Sequence, residues 1–134
     1  MVMNEDELDQ LRAKRRAELE ERLQGPSIPE SPVHINGLAH FTEQIETYRL
    51  ALIDFHADWC GPCKMLEPTI ERIATDADLT VLKVDIDRHQ QLATDHAVRG
   101  VPTLILYVDG EPAERLVGVQ DETTLVNLID RYRG

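Results

Sequence analysis

The chain has 134 residues, enough for one ordinary domain and too few for two. Hydrophobic residues make up 42% of it, so a core can be buried, yet no apolar run nears the roughly 20 residues of a membrane span. A net charge of −11 repels phosphate backbones and anionic lipids, so neither nucleic acid nor a membrane is an expected partner.

The chain opens Met1-Val2-Met3-Asn4-Glu5-Asp6-Glu7, an acidic start with no apolar segment. That is no secretory leader, and a cytoplasmic address is the expectation. Three lysines stand against eleven arginines beneath the excess of carboxylates. A salt-adapted surface and an ordinary acidic protein both fit this balance.

Residues 4–24 are dense in charge, with Leu8, Leu11, Leu19 and Leu23 roughly on one helical face and Arg15 interrupting it. Gly25-Pro26 should stop that helix, and Pro26, Pro29 and Pro32 should keep the next residues extended. Residues 1–32 are therefore expected to form a helical extension with a Pro-rich linker, and 33–134 the domain proper. The extension reads either as a fraying tail or as a docking helix.

From Val33 onward strand and helix patterns alternate. Val33–Ile35 reads as a short strand, and Leu38, Phe41, Ile45 and Tyr48 lie at helical spacing. The run Leu50–Phe55 is apolar except for Asp54, which predicts a strand buried on both faces. A helix is expected from about Cys60 to Ala77, kinked by Pro68. Strands follow at Thr80–Asp85 and Thr103–Val108, separated by a short helix from Arg88 to His96. Asp109-Gly110 signals a turn into a strand at about Ala113–Val117. The last helix should start near Asp121 or Glu122 and present Leu125, Leu128 and Ile129. The order βαβαβαββα predicts an α/β fold whose sheet ends in an antiparallel hairpin.

The chain has two cysteines, Cys60 and Cys63. A disulfide between them closes too small a loop to stabilise the fold much. Composition leaves redox chemistry and metal binding open. A zinc site needs two more ligands, normally a second pair at close spacing. His34, His40, His56, His89 and His96 show no such pairing, which disfavours zinc within one chain. Trp59-Cys60-Gly61-Pro62-Cys63-Lys64 lies where a buried strand gives way to a helix. Cys60 then meets the unpaired N–H groups of the helix start, which should lower its pKa below the free thiol's value of about 8.5. Pro62 suits the first helical turn. Cys63, one turn in, should be the more buried thiol.

From about Val33 to Arg133 the chain resembles the thioredoxin family. The resemblance rests on Ile53-Asp54-Phe55, Ala57-Asp58-Trp59-Cys60-Gly61-Pro62-Cys63-Lys64 and Pro68. It continues through Lys83-Val84-Asp85-Ile86-Asp87, Val98-Arg99-Gly100-Val101-Pro102-Thr103, Asp109-Gly110 and Gly118. It implies a thioredoxin fold, a central mixed sheet flanked by helices, and a protein-disulfide reductase working through Cys60 and Cys63. Asp54 matches the family's buried carboxylate beneath the second cysteine, where burial would raise its pKa and fit it to accept the Cys63 proton. An acid at a strand edge, paired with a surface base, is the alternative. Lys83 matches the lysine beside that acid, or is simply a solvated strand residue. Pro102 matches the family's cis-proline, and Val101 before it the residue whose backbone pairs with a target. Trp59 is expected to cover one side of the cysteines, and Gly61, Pro62, Gly100 and Gly118 to complete the surface a target approaches.

The resemblance implies no bound cofactor and no metal, because the electrons travel on sulfur. The implied partners are disulfide-containing proteins and a thioredoxin reductase, and a monomer is expected. The resemblance links CGPC to reductants; a disulfide oxidase or isomerase, or a non-catalytic scaffold, are the rivals. One position departs from the pattern. His56 stands where the family usually carries an aromatic residue, either filling that space or tuning the redox site through an imidazole that titrates near neutrality.

Overall fold

The computed structural model describes residues 2–24 and 27–133. In chain order the elements are α1 (Glu5–Gln24), β1 (Val33–His34), α2 (Leu38–Thr47), β2 (Leu50–His56) and α3 (Gly61–Asp76). They continue with β3 (Thr80–Asp85), α4 (Gln90–Asp95), β4 (Thr103–Val108), β5 (Glu111–Val117) and α5 (Glu122–Asp130). The strands form one sheet in the order β1-β3-β2-β4-β5. β1, β3 and β2 run parallel, β4 is antiparallel to β2, and β5 is antiparallel to β4. This is the mixed sheet expected from the alternation of helices and strands followed by a hairpin turn.

β2 lies at the centre of the sheet, and its side chains alternate between two cores. Leu50 and Leu52 pack with Leu66, Ile70 and Ile73 of α3 and with Leu125 and Ile129 of α5. Ala51, Ile53 and Phe55 pack on the other face with Phe41, Leu92, Ile105 and Tyr107. Each fully buried Leu, Ile or Phe is worth about 1.5–3 kcal/mol in transfer free energy, so the sandwiched strand is held from both sides. On the second face His96 accepts from the Tyr107 hydroxyl at 2.5 Å through Nε2 and donates to the Leu92 carbonyl at 2.8 Å through Nδ1.

Several boundaries differ from expectation. α4 begins at Gln90, not Arg88, because Asp85 Oδ1 accepts from the Asp87 and Arg88 N–H groups at 2.9 and 3.4 Å and holds them in a turn. It ends at Asp95, short of His96. β5 begins at Glu111, not Ala113, because the Asp109-Gly110 turn is tight and pairing resumes at once, with a register shift at Leu106/Tyr107. β1 stops at His34, one residue early. α3 runs unbroken through Pro68, whose missing N–H leaves one carbonyl of the preceding turn without its helical partner.

α1 begins with Asn4, whose Oδ1 accepts from the Glu7 N–H at 2.8 Å, and with Glu5, Asp6 and Glu7 in the first turn. Its apolar stripe is shorter than the leucines suggested. Leu8 and Leu11 are half-buried, while Leu19 is 56% exposed. The Gly25-Pro26 stop and the Leu23 side chain lie outside the described residues. Beyond them the linker is tied to the domain. The Tyr48 hydroxyl donates to the Ser27 carbonyl at 3.1 Å, and the Thr75 hydroxyl to the Glu30 carbonyl at 3.2 Å. Ile28 lines a cavity of about 330 Å³ with Leu50, Asp78 and Arg133. These contacts lie where β2 and β3 begin.

Candidate active site

The cysteines sit at the opposite end of the sheet, just past the C-terminal end of β2. Cys60 leaves the strand in an extended conformation and forms the N-cap of α3, its Sγ accepting from the Cys63 N–H at 3.1 Å. Pro62 occupies the first turn, where no N–H is required. A sulfur in that position faces the positive end of the helix dipole, which favours the thiolate over the thiol. Cys60 and Cys63 are joined as a disulfide, with Cα atoms 5.3 Å apart. Cys63 is not the more buried of the two. Both are covered, packed with Ala57 against Ile86 and Val101, because in the disulfide the two sulfurs share one site.

Opposite the disulfide, the Val101–Pro102 peptide is cis. Its loop is held by the Gly118 N–H donating to the Pro102 carbonyl at 2.8 Å and by the Thr103 hydroxyl donating to the Gly100 carbonyl at 2.6 Å. Gly118 takes φ +91°, a conformation open to glycine but strained for other residues. Among the described residues, nothing beyond the adjoining backbone lies within 4 Å of where a side chain would begin at Gly61, Gly100 or Gly118, so all three face open space. Trp59 is 68% exposed and anchored by its indole N–H to Asp87 Oδ2 at 2.9 Å. Sequence reasoning assigned Asp87 no role, although it lies in a motif that carried the family resemblance. It also overlooked Met65, 73% exposed on the first turns of α3, and the exposed Val117 beside Gly118.

Beneath the disulfide, the face of β2 toward α3 reads Leu50, Leu52, Asp54, His56, apolar first and ionisable towards the cysteine end. The strand's central place in the sheet rules out a strand-edge acid: Asp54 is 2% exposed and paired in register with Lys83 of β3 and Leu104 of β4. Its Oδ1 has no hydrogen-bond partner among the described residues. Burial pushes its pKa up from 3.8 to about 6, against the pull of the Lys83 cation and with a push from Glu67. Lys83 is not freely solvated; its Nζ lies 3.7 Å from Glu67 Oε1. Glu67 is four residues after Cys63 on α3, hence on the same helical face. Asp54, Lys83 and Glu67 thus run as neighbours from β2 across β3 to α3, with Cys63 one turn earlier on that helix. Among the described residues, no group of three or more His, Cys, Asp or Glu side chains converges as metal ligands would.

A dithiol–disulfide pair at a helix start, in this mixed sheet and facing a cis-proline loop, defines a thiol–disulfide oxidoreductase. The thioredoxin family model matches residues 32–131. A thioredoxin of Chlamydia trachomatis is 48% identical over 85 residues, 63% of this chain and 83% of that protein. One from Mycobacterium tuberculosis is 40% identical over 96 residues, 70% of this chain and 83% of the relative. A mutant thioredoxin from Halobacterium salinarum has a solved structure that matches with TM-score 0.79 at 44% identity, covering 82% of this chain and 97% of that one. The chain belongs to the thioredoxin family. It is a protein-disulfide reductase of cell redox homeostasis, and its redox group is its own disulfide. Its substrates are disulfide-containing proteins, and a thioredoxin reductase restores the dithiol.

Proposed function

We propose that Cys60 is the attacking thiolate, Cys63 the resolving thiol and Asp54 the base that takes the Cys63 proton. The observation that carries this reading is Cys60 Sγ at the N-cap of α3, accepting the Cys63 N–H. In the first step Cys60 thiolate bonds to one sulfur of a target disulfide and the other sulfur leaves as a thiolate. In the second, Cys63 gives its proton to Asp54 and bonds to Cys60 Sγ, breaking the mixed disulfide. The target leaves reduced, and the electron pair stays on its departing sulfur. Lys83 sets how readily Asp54 ionises. Trp59, Gly61, Pro62, Gly100, Val101, Pro102 and Gly118 form the surface that receives the target's extended chain, with Val101 offering its backbone.

The chain works in this reading as a cytoplasmic monomer that binds neither nucleic acid nor membrane. A reducing compartment keeps the dithiol charged, and the −11 surface disfavours both polyanions. No helix among the described residues is long and apolar enough to cross a membrane. The direct test is insulin reduction with dithiothreitol as the electron source. Precipitation of the freed insulin chain well above the dithiothreitol background supports a reductant. Background-level turnover by folded, fully reduced protein would favour a scaffold instead.

Residues 1–32 act as an accessory extension, and 33–134 as the catalytic domain. Removing residues 1–30 deletes the acceptor carbonyls of Ser27 and Glu30. At about 0.5–1.5 kcal/mol per hydrogen bond, the truncated protein should lose about 1–3 kcal/mol of stability. Insulin turnover should be unchanged. A truncated chain with native circular dichroism and much lower turnover would place the extension in the working site.

A further inference from the structure

Of the two ionisable residues on this face of β2, the mechanism uses Asp54 and leaves His56 idle. It follows Asp54 by two positions on β2, so the two side chains project from the same face, about 6.7 Å apart along the strand. In register beside it on β3 is Asp85, as Lys83 is beside Asp54. His34 of β1 pairs with Lys83 and completes the row. His56 is half-buried, and its Nε2 is buried with no hydrogen-bond partner among the described residues. The ring borders a cavity of about 370 Å³, lined also by His34, Asp58, Lys83, Asp85, Arg88 and His89. That cavity is polar enough and large enough to hold water beside the ring, and Lys83, the neighbour of Asp54, is in its wall.

The buried position of Asp54 poses a problem that this arrangement answers. Its Oδ1 has no partner among the described residues, and its neighbour Lys83 is engaged with Glu67. A base that takes the Cys63 proton in so closed a place must pass it outward before it can act again. We propose that His56 relays this proton: Nε2 takes it from Asp54, directly or across one water, and returns it to solvent through the cavity. The relay rests on the reading of Asp54 as the base for Cys63. Across one cycle the imidazole gains and loses one proton, and no electrons move through it. His56 is a positioning and relay residue; the sulfur chemistry remains with Cys60 and Cys63.

The charges facing the ring suit that task. Burial, Lys83 and His34 hold the His56 pKa below 6.5, while Asp85 and Asp58 oppose them. Of the other groups around the cavity, Arg88 is drawn to Asp85, its Nε 3.9 Å from Oδ2, and His89 is part of the lining. The ring is thereby neutral near pH 7, able to accept a proton and release it again, as a relay requires.

The test follows the resolving step alone. Cys60 is loaded with thionitrobenzoate as a mixed disulfide, and release of the coloured thiolate reports the attack of Cys63. His56→Phe keeps a ring of similar size, and His56→Gln keeps polarity without titration near neutrality. Both should slow release about tenfold near pH 6.5, less than the 10²–10⁴ of direct general acid–base contact. In both, the acid limb of the profile should move to higher pH. His56→Ala should be as slow and should recover on addition of imidazole, which the cavity can admit, whereas Asp54→Asn should not recover. Release from His56→Phe and His56→Gln at the wild-type rate from about pH 5.5 to 8, with Asp54→Asn still slow, would overturn the relay and leave Asp54 as the base. Wild-type release from Asp54→Asn would overturn both. Should His56→Ala fail to fold, the Phe and Gln variants decide the matter through their pH profiles.

Discussion

Cys60→Ser is expected to reduce insulin turnover to the dithiothreitol background, while Cys63→Ser should accumulate targets bound to Cys60. The asymmetry comes from the helix start. Cys60 forms the N-cap of α3, where the Cys63 N–H donates to its sulfur and the positive end of the helix favours a thiolate. A serine hydroxyl ionises far too weakly to exploit that site, although serine is itself a favoured N-cap. The Cys60→Ser protein should therefore fold normally and yet be inert. In Cys63→Ser the first attack survives and the second does not, so the mixed disulfide persists. Mass spectrometry of a reaction with a disulfide-bonded protein would locate the adduct. Adducts forming on Cys63 of the Cys60→Ser variant as fast as on Cys60 would reverse the assignment.

Asp54→Asn should raise stability and slow catalysis, with opposite consequences at the two ends of the pH range. The carboxyl is buried, and its pKa is raised from 3.8 to about 6, so the folded protein holds the proton more tightly than the unfolded chain. The stabilising contribution of the protonated form is therefore complete below about pH 4 and is lost as pH rises through about 6. At about 1.4 kcal/mol per pH unit, that window amounts to about 3 kcal/mol. The asparagine variant escapes this loss, less about 1–2 kcal/mol if its amide lacks partners. Its advantage over the wild type should be smallest near pH 4 and largest above pH 7, as read from urea unfolding at each pH. Turnover should fall about 10²-fold, the lower end of what a general base contributes. A stability difference independent of pH would mean that burial leaves the Asp54 pKa at its unfolded value, and unchanged turnover would remove it from the chemistry.

Much of this architecture is legible in the chain because its physical signals are local. Thr80–Asp85 and Thr103–Val108 are strands with the expected bounds, since each is a β-rich run closed off by turn-forming residues. The place of Cys60 at the start of α3 follows from a buried run meeting Gly61-Pro62. Features that depend on distant residues are less visible. The Asp85 side chain delays α4 by claiming two backbone N–H groups, a competition no helical periodicity reports. Glu67 reaches Lys83 only because α3 crosses β3, and the Trp59–Asp87 bond spans 28 positions. The equal burial of the two cysteines is likewise a property of the joined sulfurs. His56 was conspicuous in the sequence as a departure, but the cavity beside it exists only once β1, β3 and the segment before α4 are assembled.

The bonds from Tyr48 to Ser27 and from Thr75 to Glu30 fix where the extension leaves the domain. They lie at the start of β2, a seven-residue strand, and the cysteines follow its end, roughly 20 Å away. The extension therefore leaves the domain at the end of the sheet opposite the sulfurs, so a cut or a replacement at residues 27–30 changes the molecule a strand's length away from its redox group.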